Sequence, residues 1–230
     1  MSKNENTNQS APTVKFGLLG ELNKVTDYIQ VQNPAVREIA SRIKGRGYND
    51  IVAKCALYVA RNVRYAVGQD NNPSAQRVCR IFKYHGPIYL VDKEFAYGWL
   101  FPNQLLVAKY GICFDTAALC CTLLRIKGLA AKVVLGAVLT PHARRLKGFH
   151  AWVEVPDKDG TMLVIETTSP RKPTVYLASD IYAQPGRLPH IYDPVCRFDE
   201  TSWYEDGEKS QSYIEMAMSA LRRNITFVVQ

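Results

Sequence analysis

Apolar positions recur at helical spacing in three stretches of the first 130 residues, and after that the period changes. Following Asn33-Pro34, the residues Val36, Ile39, Ala40 and Ile43 form one stripe that ends at Gly45, which predicts an amphipathic helix. Asn49-Asp50 reads as the cap of a second helix from Ile51 to about Arg64, with Ala53, Leu57 and Ala60 as its buried stripe. A third helix is expected from near Cys113 to Gly128, a glycine suited to the left-handed residue that ends many helices. Between Gly68 and Gly98, turn residues break the pattern around a short strand-like IYLV at 88–91.

Beyond Gly128 the pattern becomes extended. KVVLGAVL (132–139), FHAWVEV (149–155) and TMLVIET (161–167) are apolar and partly β-branched, and Pro156-Asp-Lys-Asp-Gly160 supplies the turn between the last two. Helices followed by an antiparallel meander predict an α+β protein. The polar residues 1–12 are expected to be a disordered tail, and 13–230 a single domain. Residues 170–230 carry many prolines and tyrosines, a helical stretch at about 212–222 and the apolar ITFVV of 225–229. Their pattern leaves open whether they add a strand or cover a cleft.

Composition narrows the class only a little. Hydrophobic residues at 47% and charged ones at 22% are ordinary for a globular chain, and no apolar run is long enough for a membrane span. The first dozen residues lack the apolar core of an export signal, and Cys120 is adjacent to Cys121 among six cysteines. Both point to reduced thiols and a cytoplasmic location. No CxxC pair or Cys/His comb appears, so no metal or other cofactor is expected. The net charge of +8 gathers partly in His142–Lys147 and Arg171-Lys172, a basic face that suits an acidic partner. No nucleic-acid module accompanies it, and nucleic acid is not the expected ligand.

The candidate chemistry sits where the patterns meet. If the five turn residues form the hairpin loop, Val155 faces Thr161, and the ladder then sets His150 opposite Glu166. Cys113 follows a glycine at a helix start, where unsatisfied N–H groups and the helix dipole favour a thiolate. Cys113, His150 and Glu166 are therefore candidates for nucleophile, general base and orienting carboxylate. Cys55, Cys79, Cys120, Cys121 and Cys196 read as small buried hydrophobes. His85, His142 and His190 read as surface residues, and Asp115 as a helix-start residue bonded to backbone N–H groups.

GICFD, then FHAWVEV, then LVIETTS resemble the core motifs of the transglutaminase-like superfamily: a helix-starting G-x-C-x-D, a strand His-Ala-Trp, and an acid on the next strand. The resemblance covers about 33–169. It implies a papain-like core, with the nucleophile helix packed on an antiparallel sheet. Two departures stand out: Glu166 replaces the usual Asp, and Ile112 the acidic residue often found before the cysteine. Gln104 resembles the side-chain oxyanion donor of papain-like enzymes, with Tyr110 and Trp99 as rivals.

The function this implies is thiol-dependent acyl transfer at an amide bond of a protein or peptide. Hydrolysis by a cysteine peptidase or amidase is the first expectation, and transfer to an amine by a transglutaminase is the alternative. A binding or assembly module that keeps the fold without turnover is the reading from a different class.

Overall fold

The computed structural model describes residues 13–14, 23–65, 89–91, 94–96, 99–141, 144–168, 173–182 and 190–222. In chain order these hold β1 (Thr13–Val14), β2 (Asn23–Lys24), α1 (Pro34–Arg42), α2 (Tyr48–Asn62), β3 (Arg64–Tyr65), β4 (Tyr89–Val91) and β5 (Glu94–Ala96). Then come α3 (Pro102–Ala108), β6 (Tyr110–Gly111), α4 (Cys113–Ile126), β7 (Lys132–Leu139), β8 (Leu146–Pro156), β9 (Met162–Glu166) and β10 (Thr174–Leu177). The described chain closes with α5 (Ala178–Tyr182), β11 (Ile191–Phe198), β12 (Trp203–Glu205) and α6 (Gly207–Arg222). The architecture is the expected α+β one. His85, Cys79, His142, Arg171, Lys172 and the ITFVV segment lie outside the described residues.

Helix α4 is the centre of the core. Every residue from Cys113 to Leu124 is buried, because α1, α2 and α3 cover it on the helical side and β7 and β8 on the sheet side. A helix apolar all round can be stable only in such a place. Its internal polar groups are satisfied locally, as where the Thr122 hydroxyl donates to the Ala118 carbonyl at 2.8 Å. Gly128, at φ +81°, takes the left-handed position just past the helix end.

The flanking helices follow from their caps. Asn33 Oδ1 accepts from the N–H groups of Ala35 and Val36, with Pro34 in the first turn, so α1 starts where the sequence says it should. Helix α2 departs from expectation. It begins at Tyr48, and Asp50 lies in its first turn, accepting from the Arg46 N–H at 2.8 Å. The buried stripe is Val52, Cys55, Ala56 and Val59, whereas Ala53 is exposed. That face buries two valines and a thiol where the expected one offered mostly alanine, so it gains more from facing α4.

A six-stranded antiparallel sheet runs β10-β9-β8-β7-β11-β12. The β7-β8-β9 meander is the one the sequence pattern predicts. Its hairpin register is not: Val155 faces Leu163 and Pro156 faces Met162, so the loop is 157–161 and His150 does not stand directly opposite Glu166. The cause is Asp157, whose Oδ1 accepts from the N–H groups of Asp159 (2.8 Å) and Thr161 (3.0 Å). This side-chain turn, closed through Gly160 at φ +80°, leaves Pro156 in the strand and moves the loop forward by one residue. Carried one step past its last pair, the register sets Glu166 level with Trp152, two residues from His150 on the same face.

The C-terminal region adds three strands, β10 beside β9 and β11 and β12 beyond β7. β11 pairs with β7 on the side away from β8, through a bulge between Pro194 and Cys196. No helix among the described residues is long and apolar enough to cross a membrane. Part of the basic stretch is neutralised: Arg144 lies 3.6 Å from Asp193, which also pairs with Lys209 at 2.5 Å.

Candidate active site

The GICFD stretch builds the start of α4. Ile112 is the N-cap residue and Cys113 the first helical one. Asp115 Oδ2 accepts from the Ile112 N–H at 2.9 Å, and its Oδ1 accepts from the Leu100 N–H at 2.8 Å. This buried carboxylate therefore fixes both the entry of the helix and the segment before α3, a supporting role. Gly111 is required by close approach, since a Cβ there would stand 2.6 Å from Leu105 Cδ1 and 2.9 Å from Asp115 Cβ. The Thr116 hydroxyl contacts that of Thr167 at 2.9 Å, tying the helix start to the chain just beyond β9.

The strands bring the acid to the base. His150 Nε2 lies 2.7 Å from Glu166 Oε2 across the diagonal of the ladder, a span the longer glutamate side chain can cover. With Nε2 on the carboxylate, Nδ1 is the ring nitrogen left for Cys113, whose side chain hydrogen-bonds the imidazole. Cys113, His150 and Glu166 are 5%, 4% and 6% exposed. Their mutual interactions thus act largely without screening by water.

Glu166 collects four donors. Besides His150, the Tyr192 hydroxyl donates to Oε2 at 2.5 Å, and the Thr168 N–H and hydroxyl donate to Oε1 at 2.8 and 2.6 Å. Burial alone would raise its pKa, but the bonds and charge of His150 and the donors from Thr168 and Tyr192 pull it down to about 2. Burial likewise opposes the His150 charge, yet hydrogen bonds to Cys113 and Glu166 outweigh it and hold the imidazole well above its usual pKa. The Tyr192 phenol is held above its ordinary value by burial and by the Glu166 charge, so it stays a donor.

Gln104 Oε1 accepts from the Phe101 N–H at 3.0 Å, which makes its carbonyl the cap of α3. Trp99 is stacked on Phe114 with ring centroids 3.7 Å apart, within a cluster that includes Tyr28 and Phe101. Tyr110 is half-buried on β6. Trp152 is fully buried, its indole N–H donating to Tyr182 at 2.7 Å. Cys55 and Cys196 are buried thiols pushed up to about 12 by burial, and burial raises Cys120 and Cys121 as well. Among the described residues, no group of three or more His, Cys, Asp or Glu could hold a metal ion.

Two residues near the triad candidates escaped the sequence reading. Tyr192 sits on β11, where alternation is broken by Pro194; the β-branched and aromatic content of IYDPVCRF could have flagged a strand, though not its partner. Tyr65 sits on β3, level with Gly111 of β6, and nothing local in the sequence marks it.

The sequence profile of the transglutaminase-like superfamily matches residues 37–166, more than half of the 230. The chain belongs to the transglutaminase-like superfamily. The matched span contains Cys113, His150 and Glu166 and stops before Tyr192. Among solved structures, Legionella pneumophila LapG is similar at 13% identity and a TM-score of 0.46, over 86% of this chain and 94% of that one. A TGase is similar at 18% identity and 0.36, over 63% and 31%. A Cytophaga hutchinsonii protein assigned as a cysteine protease is similar at 12% identity and 0.38, over 84% and 67%. None of the curated proteins matches the chain.

Proposed function

We propose that this chain is a thiol-dependent acyl-transfer enzyme acting on amide bonds of proteins or peptides, first of all a cysteine peptidase or amidase. The observation that carries the reading is the imidazole of His150, held between Cys113 and a buried carboxylate with four donors. An imidazolium beside a sulfur at a helix start favours the thiolate. Cys113 Sγ then attacks the amide carbonyl, His150 gives its proton to the leaving amine, and a thioester remains. Water, deprotonated by the now neutral His150, releases the acid. Glu166 keeps the ring oriented and stabilises its charged form throughout.

One observation favours a second outcome for the same thioester. The three groups are nearly closed to solvent, and exclusion of water is what transfer to an amine requires. The deciding experiment incubates the protein with a mixed peptide library in ¹⁸O-water, with and without a primary amine, and reads the products by mass spectrometry. Hydrolysis gives ¹⁸O-labelled carboxyl groups, whereas transamidation gives amine adducts. Neither product, together with a Cys113 that iodoacetamide alkylates no faster than Cys196 near pH 6, would overturn the enzyme reading in favour of a binding module.

A further inference from the structure

Tyr65 ends a two-residue parallel bridge, Arg64 to Tyr110 and Tyr65 to Gly111, reinforced by the Arg64 N–H donating to the Lys109 carbonyl at 2.9 Å. The bridge anchors Tyr65 level with a residue two positions before Cys113. Its hydroxyl is the one buried side-chain N or O atom among the described residues that makes no hydrogen bond. It nevertheless sits beside Cys113, interacting with both the side chain and the backbone of that residue, and it feels the Glu166 charge. Buried polar atoms are almost always paired, so an orphan at this place calls for a partner that arrives later.

We infer that the Tyr65 hydroxyl is an oxyanion donor of this site, acting with the Cys113 backbone N–H at the start of α4. The inference rests on the acyl-transfer reading above. When Sγ attacks, the C–S bond forms and the carbonyl π pair moves to oxygen. That oxygen bears the negative charge and accepts from the Tyr65 O–H and the Cys113 N–H, with no proton transferred. On collapse the pair returns to carbon, the C–N bond breaks, and the amine leaves with the proton from His150. Burial and the neighbouring Cys113 and Glu166 hold the phenol above its ordinary pKa, so it remains a donor at neutral pH.

Two reagents separate this role from every other. Iodoacetamide alkylates a thiolate by displacement at a saturated carbon, which forms no oxyanion. p-Nitrophenyl acetate acylates the same sulfur through a tetrahedral oxyanion. In Tyr65→Phe, the acylation of Cys113 is expected to slow at least tenfold, since loss of one oxyanion donor commonly costs about a hundredfold or more on a natural substrate. Alkylation should stay within twofold of wild type. Thermal stability should be unchanged or raised, because an unpaired buried hydroxyl has been removed. Equal slowing of both reactions, no slowing of acylation, or a marked loss of stability each overturns the inference while leaving the enzyme reading intact. A wild-type Cys113 that reacts with neither reagent faster than Cys196 overturns the enzyme reading, and this inference falls with it.

Discussion

Replacing Glu166 by glutamine tests the electrostatic core of the site with almost no change of shape. The carboxylate accepts four hydrogen bonds, two at each oxygen. A glutamine amide offers one oxygen and one NH2 group, so whichever way it turns, its two donors meet two donors. Facing Thr168 with its oxygen, it opposes His150 and Tyr192; flipped, it opposes Thr168. The carboxyl is depressed from 4.5 to about 2, which corresponds to about 3 kcal/mol favouring its ionised form. The His150 charge supplies much of that, and the same interaction raises the imidazole.

Without the carboxylate, burial of the ring works unopposed on that side, and His150 should titrate lower than in wild type, leaving less imidazolium beside Cys113. The assay is the alkylation rate of Cys113 by iodoacetamide from pH 4 to 9, mapped by mass spectrometry. At pH 6 the variant should react about 10- to 100-fold more slowly than wild type. A folded Glu166→Gln protein whose rate at pH 6 lies within twofold of wild type would refute the reasoning.

The same pair sets a pH signature of stability. Glu166, with its lowered pKa, stabilises the fold above about 4.5 and loses that contribution as pH falls toward 2; His150, with its raised pKa, contributes below 6.5 and loses it as pH rises through the raised value. Urea titrations of wild type and Glu166→Gln should therefore differ most between pH 4.5 and 6.5, and the gap should narrow on both sides. Asp115→Ala strips the Leu100 and Ile112 N–H groups of a buried acceptor and should cost about 2–4 kcal/mol by urea unfolding. In Gly136→Ala the new Cβ would stand 2.3 Å from the Asp193 carbonyl oxygen and 2.5 Å from Trp152 Cη2, so a loss of about 1–3 kcal/mol is expected, with slower Cys113 alkylation as β11 shifts. Arg197→Met leaves Glu154 buried without its two-pronged partner and should cost about 3 kcal/mol or more; adding Glu154→Gln should recover part of it, as a double-mutant cycle in urea would show.

What the sequence revealed of this fold follows the range over which each feature is determined. The extent of α4 and β7 and the supporting role of Asp115 are written in neighbouring residues, and so were readable. The exact hairpin register is also local, but it depends on the Asp157 side chain, which turns the chain one residue later than the proline suggested. The parity of the two strands survived the shift, which is why His150 and Glu166 still meet, now diagonally. The stripe of α2 was misplaced because α4 decides which face is buried, and the apolar value of Cys55 is easily discounted. Tyr65 and Tyr192 come from pairings that join segments about 45 to 55 residues apart, and no periodicity encodes such a pairing.

The C-terminal strands give the carboxylate its surroundings, and this changes how the site should be understood. The superfamily match ends at Glu166 itself, yet one of the four donors to that residue, Tyr192, comes from β11. β11 can lie against β7 at the right depth because Gly136 leaves room for the Asp193 carbonyl and the Trp152 ring, where any larger residue would hold them apart. On the same strand, Arg197 grips Glu154 of β8, which also accepts from Tyr182, itself the partner of the Trp152 indole. The strand that carries His150 is thus held, through Trp152 and Glu154 on the same face, by groups of α5 and β11, two elements outside the matched core. Orientation of an imidazole to within hydrogen-bonding tolerance depends on such support as much as on the carboxylate it touches. The extension is therefore part of what holds His150 and Glu166 in place, and substitutions along β11 should alter the reactivity of Cys113 without touching it.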